Sequence, residues 1–245
     1  MSQETLEARL DALETLVKKL RQEVKEKDKQ IQLLNDIEAI KRLQCAYGYY
    51  LEHWMSQEIV DLFSRRDDVS ATFVEGTYKG QEGIRRYFGP GRKTPPEFLH
   101  QVMQVSPVIT VAPDGLSARG RWYGYGTICA RPVKDNIDPV YMSVIYEMEY
   151  VREDEVWKIL KLAFQMQYAY SPPKYPPAPP ATPADGDAAD RPKLSPDEFA
   201  EYDIQYPSGY IYPFHFKHPV TGKTTSEAEY NAGLNLKPNR FRPKE

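Results

Sequence analysis

Between Leu99 and Tyr168 the sequence runs through four long strand-type segments, Leu99–Ala112, Ser117–Ala130, Val140–Arg152 and Val156–Tyr168. The first two are separated by the turn Pro113-Asp114-Gly115 and the last two by Glu153-Asp154-Glu155. Strands of similar length joined by tight turns are the signature of an antiparallel meander. This part of the chain must therefore build a sheet, and what precedes it must cover that sheet.

What precedes it reads as helix. Residues 4–35 contain neither Gly nor Pro, and Leu6, Leu10, Leu13, Val17, Leu20, Val24, Ile31 and Leu34 recur at steps of four and three, interrupted only at Lys27. That narrow heptad stripe predicts a coiled-coil helix roughly 45 Å long that self-associates. Helical spacing continues over 36–63 through Ile37, Ile40, Leu43, Tyr47, Tyr50, Leu51 and Trp54, with Ser56 placed to cap a second short helix ending near Phe63. A strand over Val69–Glu75, a short extended piece over Thr77–Gly80, a helix over Gln81–Phe88 and a Gly/Pro loop over Gly89–Pro96 complete the first half. A helical first part and a strand-rich second part predict an α+β fold, with helices on one face of a curved antiparallel sheet.

Beyond the sheet the composition changes. Residues 171–192 carry eight prolines and predict a semi-extended linker. Residues 193–245 hold Phe199, Tyr202, Tyr206, Tyr210, Tyr212, Phe214 and Phe216, too aromatic for a free tail, and are expected to pack on the main domain or on a neighbouring subunit. The domain reading is thus a coiled-coil helix over 1–35, an α+β domain over 36–170, the linker over 171–192 and an aromatic extension over 193–245.

Composition excludes several classes of function. A net charge of −3 argues against nucleic acid as a partner. No run of 18 apolar residues spans a membrane, and the polar first residues carry no signal-peptide core. Cys45 and Cys129 make no disulfide framework or zinc motif, so a reducing cytoplasm is the default. No nucleophile elbow, phosphate loop or metal motif is present, so no cofactor is called for. His215-Phe216-Lys217-His218 has too few ligands for a metal and is read as surface or interface.

The order of segments resembles the SnoaL-like branch of the nuclear transport factor 2-like superfamily. The resemblance runs from about Asp36 to Tyr168. It is carried by Asp36–Leu43, Tyr47, Glu52, Ile59–Phe63, Gly76–Phe88, His100 and Val156–Ile159. It implies a cone-shaped α+β barrel with a cavity between helices and sheet, usually worked without a cofactor. Within that branch the chain is similar to bacterial lyases that remove formaldehyde from lignin-derived diarylpropanes to give stilbenes. That similarity implies a bulky aromatic substrate. A dehydratase or isomerase of an aromatic or polycyclic compound, and a non-catalytic ligand-binding scaffold, are the competing readings, because the fold hosts many reactions.

Candidate site residues follow. His100 stands where dehydratase-like members of the family keep an acid/base histidine; the other reading is a strand-end histidine bonded to a backbone carbonyl. Glu52 stands where many relatives have a shorter aspartate facing the cavity; a carboxyl beside an apolar wall has its pKa raised, which suits general acid or base work, and the alternative is a solvated helical glutamate. Tyr47, Tyr50 and Trp54 share a helix face. One is read as core and the others as pocket lining, with Tyr50 counted as catalytic beside His100 and Glu52, and Tyr47 and Trp54 as substrate contacts. His53, adjacent to Glu52, should point about 100° away around the helix and miss the cavity. In Arg119–Thr127, alternation puts Arg119, Arg121, Tyr123, Tyr125 and Thr127 on one face and Ala118, Gly120, Trp122, Gly124 and Gly126 on the other. The sequence does not say which face is concave, so Arg121, Trp122, Tyr123 and Tyr125 all enter as substrate contacts. The glycines mark either sheet curvature or room for a ligand. On the next strand Met142, Val144, Tyr146, Met148 and Tyr150 form the buried set, Tyr146 supplying a polar tip that needs a partner and a further substrate contact.

Overall fold

The structure, a computed structural model, describes residues 3–74, 76–89, 98–129, 132–133, 136–137, 139–171, 211, 214 and 217–233. The loop expected at 89–96 beyond Gly89, the proline-rich linker beyond Ser171, and most of the aromatic extension, including His215 and Phe216, lie outside the described residues.

Helix α1 (Gln3–Glu52) is continuous for 50 residues. Along its first part Leu10, Leu13, Val17, Leu20, Val24, Ile31 and Leu34 lie on the exposed surface of the chain. At Asp36 the environment changes without any break in the helix, and Asp36, Ile40, Leu43, Gln44, Ala46, Tyr47, Tyr50 and Leu51 are buried. The sequence boundary at 35 is thus a boundary of burial. Trp54, at φ 55°, turns the chain out of the helix, and Met55 N–H bonds back to Tyr50 O at 2.9 Å. Helix α2 (Ser56–Asp61) follows, with Met55 as its N-cap and no side-chain cap bond. Ser56 is therefore the first helical residue and not the expected cap, because the sharp turn at Trp54 brings the helix start one residue earlier.

Strands β1 (Ser70–Phe73) and β2 (Gly76–Lys79) form a hairpin that leads into α3 (Gly80–Phe88). The meander is β3 (Leu99–Val111), β4 (Ser117–Cys129), β7 (Val140–Glu153) and β8 (Val156–Tyr170), with a two-residue ladder of β5 (Pro132–Val133) and β6 (Asn136–Ile137) inside the β4–β7 connection. Asp154 and Glu155 take positive φ, 51° and 62°, which gives the β7–β8 turn the twist that two-residue hairpins need. A short helix α4 (Glu227–Ala232) lies in the C-terminal extension.

The sheet runs β2-β1-β8-β7-β4-β3. It is not wholly antiparallel, as expected from sequence: β1 pairs with β8 in parallel, Ala71 opposite Leu162, and Phe63 makes a further parallel bridge to Ile159. The whole meander separates these strands in sequence, so no tight turn dictates their relative direction. At the other end β3 pairs only with β4, and α1 packs against its first half. Gly48 is the point of close approach, where an added Cβ would stand 3.1 Å from Cγ of Gln104.

The core lies between α1–α3 and one face of the sheet, with Tyr47, Ile59, Ile84, Phe88, Trp122, Val144, Tyr146 and Tyr150 at its centre. Burying each such side chain contributes about 1.5–3 kcal/mol. Polar ties cross it as well: Trp157 Nε1 donates to Asp36 at 2.9 Å, and Arg152 lies 3.6 Å from the same carboxylate.

Candidate functional site

The two faces of β4 are now told apart. Ala118, Gly120, Trp122 and Gly124 are buried against the helices, while Arg119, Arg121, Tyr123 and Tyr125 are exposed on the opposite face. Arg121 pairs there with Glu147. Successive residues of a strand point to opposite faces, so Arg121, Tyr123 and Tyr125 lie on the outer face and Trp122 on the face that meets the helices. The glycines on the Trp122 face leave no room for a ligand. A Cβ on Gly120 would stand 2.9 Å from the Tyr150 ring and one on Gly124 would stand 2.6 Å from the Tyr146 ring, so the space is taken by the chain's own tyrosines.

On the buried face Tyr47 makes edge contacts with Phe88 and Tyr146, each at 6.2 Å between ring centroids. Its hydroxyl is buried without a hydrogen-bond partner, and burial holds its pKa well above the usual phenol value. Trp54 packs against Phe88 and edge-on to Phe98, whose ring is nearly parallel to that of His100 at 6.4 Å. His100 is half-buried, opposite Ile128 in the ladder. Tyr47, Trp54, His100, Trp122 and Tyr146 thus belong to one aromatic interior.

Glu52 lies elsewhere. Between α1 and β3 is a half-open cleft of about 260 Å³, lined by Cys45, Gly48, Tyr49 and Glu52 on the helix and by Gln101–Gln104 on the strand. Positions 45, 48, 49 and 52 are spaced i, i+3, i+4 and i+7, a single helix face next to the one that carries Tyr47. Glu52 therefore borders the edge strand and not the aromatic interior. Burial pushes its carboxyl above the ordinary value, and Gln101 Nε2 approaches its Oε1 at 3.5 Å, a loose contact. His53, the first residue past the end of α1, is not among the residues that line the cleft. Its Nδ1 is buried without a hydrogen-bond partner, and desolvation lowers its pKa to about 4.

Tyr50 faces the C-terminal extension. Its ring stacks on His218 at 5.4 Å and meets Phe214 edge-on at 5.6 Å, and burial raises its pKa. Part of the aromatic extension therefore packs on the main domain, with Ile211 and Phe214 joining its core.

One connected polar group escaped the sequence reading. Trp122 Nε1 donates to Tyr150 OH at 2.9 Å, Tyr150 OH donates to Gln44 Oε1 at 2.8 Å, and Gln44 Nε2 donates to Gln104 Oε1 at 2.8 Å. Gln104 in turn bonds Tyr146, which holds that phenol's pKa lower than burial alone would set it. The chain of bonds carries the order of the core from Trp122 to the wall of the cleft. Gln44 lies between Leu43 and Cys45 with nothing in its sequence context to single it out. The group's one sequence signal is the polar tip of Tyr150, a second phenol in the buried set beside Tyr146.

Among the described residues no group of three or more His, Cys, Asp or Glu side chains is placed to hold a metal ion. Among the described residues no helix is long and apolar enough to cross a membrane.

The SnoaL-like domain is matched over residues 32–163. No curated protein matches the chain. Among solved structures, hexachlorocyclohexane dehydrochlorinase LinA-type3 from Novosphingobium barchaimii is 20% identical, covering 62% of this chain and 99% of that one, with a TM-score of 0.49. An NTF2-like protein with a cystatin-like fold from Novosphingobium aromaticivorans is 18% identical, covering 57% and 86%, with a TM-score of 0.46. An NTF2-like superfamily protein from Salmonella enterica is 14% identical, covering 63% and 98%, with a TM-score of 0.45. At such values the likeness carries no argument about this chain.

Proposed function

The chain belongs to the SnoaL-like domain family, and we propose that it is a cofactor-independent lyase acting on a bulky phenolic substrate. The observation that carries this reading is Glu52, a carboxyl whose pKa is raised by burial and which borders the cleft between α1 and β3. Perturbed carboxyls in clefts are where acid/base chemistry is found. The cleft is slightly smaller than the roughly 300–1,000 Å³ of typical small-molecule sites. One ring of a two-ring substrate fills it, and the second rests outside against Tyr49.

The reaction that fits best is deformylation of a lignin-derived diarylpropane diol to a stilbene. Glu52 in its protonated form gives its proton to the departing benzylic hydroxyl, which leaves as water while the para-phenol, losing its own proton, supplies electrons and becomes a quinone methide. The Glu52 carboxylate then takes the proton of the terminal hydroxyl. The carbon–carbon bond breaks, formaldehyde leaves, and the electron pair completes the stilbene double bond and restores the phenolate, which takes back from solvent water the proton that the phenol gave to it in the first step. The sum is diol to stilbene, water and formaldehyde, with no change of oxidation state that needs a nucleotide or metal. Within the same reading His100 is assigned proton transfer and Tyr47, Trp54, Trp122 and Tyr146 the aromatic packing behind the cleft, none of the five being among the residues that line it. The exposed stripe of α1 and the outer sheet face with Tyr123 and Tyr125 assemble copies of the chain into a homo-oligomer.

The test is incubation with phenolic diarylpropane diols and related aryl alcohols, without cofactors, while stilbene absorbance and formaldehyde are followed. Neither product, from any of these substrates, sinks the deformylation. A non-catalytic scaffold is the second reading, favoured by one observation: the space behind the cleft is filled by the chain's own rings, Tyr47 against Phe88 and Tyr146. Tight binding of the diols without turnover decides for it, and dehydration without loss of formaldehyde decides for a dehydratase.

A further inference from the structure

The mechanism above makes no use of the ties between residues 214–230 and the corner where α1 gives way to α2. His218 is buried, its ring lying flat against Tyr50 with 15° between the planes. Nδ1 accepts the backbone N–H groups of Val220 and Thr221, both at 3.1 Å. Nε2 lies 2.8 Å from the backbone carbonyl of Glu58. A carbonyl only accepts and a backbone N–H only donates. The imidazole must therefore carry a single proton, on Nε2, and be neutral.

Other bonds fasten the same segment. Ser226 N–H donates to the Glu58 carboxylate at 2.8 Å, and Tyr230 OH donates to the backbone carbonyl of Trp54 at 3.0 Å. Thr225 OH and, at 3.4 Å, Phe214 N–H donate to Glu227, which is buried. Trp54 is the residue that ends α1 at positive φ, two positions after Glu52. The segment thus clasps the backbone on which Glu52 depends for its place.

We propose that His218 is the latch of a docked C-terminal strap, that the strap positions the Trp54 corner and through it Glu52, and that docking holds only while the imidazole is neutral. The docking stands on the contacts above; its consequence for turnover rests on the proposed use of Glu52. The titratable and charged groups around the latch are Tyr50 from α1, Glu58 and Asp61 from α2, Lys217 and Lys223 on its own loop, and Glu227 and Tyr230 from α4. Glu58 and Asp61 favour a charged imidazole, but a second proton has only Nδ1 to occupy, where two N–H groups already point. Desolvation dominates and pushes the His218 pKa below its ordinary value. A histidine whose pKa is lowered on docking supports docking fully above its ordinary value of about 6.5. That support is lost as pH falls from there toward the docked value.

The experiment is hydrogen exchange of residues 217–233 in the full chain, at about pH 7.5 and about pH 5, on either side of histidine's ordinary value, with intrinsic rates corrected. His218→Asn keeps an acceptor that reaches the N–H groups two and three residues on, yet does not titrate. His218→Ala keeps neither. In the wild type the strap is protected at the higher pH and exchanges tenfold or more faster at the lower. His218→Ala exchanges fast at both, and His218→Asn keeps one level of protection at both. Equal protection of the wild type at the two pH values overturns the latch. So does a His218→Asn strap that opens in acid like the wild type, since Glu58 and Glu227 would then be the groups responsible. In the turnover assay, His218→Ala lowers activity severalfold while the wild type loses it in mild acid and His218→Asn does not. Unchanged turnover with a released strap overturns the positioning role alone. A wild type with no turnover overturns the lyase reading, and the positioning role with it, while exchange still decides the latch.

Discussion

The hydroxyl of Tyr150 on β7 donates to the side-chain carbonyl of Gln44 on α1, 2.8 Å away and 106 residues apart in sequence. The same oxygen accepts from Trp122, so one phenol joins two strands to the helix that carries the cleft. Both neighbours are buried. Tyr150→Phe leaves an indole N–H and an amide oxygen without their partner, which costs about 1–3 kcal/mol. The urea midpoint should fall accordingly, with an unchanged slope. An unchanged midpoint would mean that Trp122 and Gln44 find other partners.

The apolar stripe of α1 predicts an assembly. Leu13, Leu20, Val24 and Leu34 are each about half exposed or more in the single chain. Such a stripe is covered in a coiled coil by its counterpart on another helix. Deleting residues 4–35 should lower the mass seen by light scattering. If the mass per assembly falls only by the deleted residues, the interface is elsewhere, and the outer sheet face with Tyr123, Tyr125 and Tyr141 is the next to test.

Glu52→Gln and His100→Ala should each lower turnover by about 10²–10⁴-fold, the usual value of a positioned proton donor or acceptor. His53→Ala, which removes a neutral side chain with no hydrogen bond at Nδ1, should leave turnover near wild type. The stability of Glu52→Gln gives an independent check. A carboxyl whose pKa is raised in the folded state favours folding in its protonated form, and that support is lost as pH rises past the ordinary glutamate value. Glu52→Gln should therefore melt higher than wild type at neutral pH, with the difference closing in acid. A melting temperature lower than wild type at neutral pH would show that the carboxylate is stabilised where it lies, contrary to its use as an acid.

Activity should survive dialysis against a strong chelator. The proposed steps need only proton transfers and the electrons of the substrate's own phenol. Loss of turnover, with recovery on adding back a divalent ion, would replace Glu52 as proton donor by a metal-bound water.

What the sequence determined by itself is local. Alternation over 142–150 identified the buried set Met142, Val144, Tyr146, Met148 and Tyr150, and the spacing around Tyr47 identified the helix that packs on the sheet. Heptad spacing picked out the stripe of α1, and short turns placed β3 beside β4 and β7 beside β8. Each of these depends on neighbours a few residues apart, where period and turn chemistry act. The remainder was decided in three dimensions. A period of two separates Trp122 from Arg121 and Tyr123 but is unchanged when the two faces are exchanged; only the docking of α1 and α3 on one side makes the Trp122 face the inner one. A helical period of 3.6 places Glu52 relative to Tyr47 but not relative to β3, and the close approach at Gly48 decides that Glu52 meets the edge strand. The parallel pairing of β1 with β8, the bonds from Trp122 through Gln44 to Gln104, and the seat of His218 on Glu58 join residues far apart in the chain. No local preference encodes such contacts, because their free energy exists only once the intervening chain has folded.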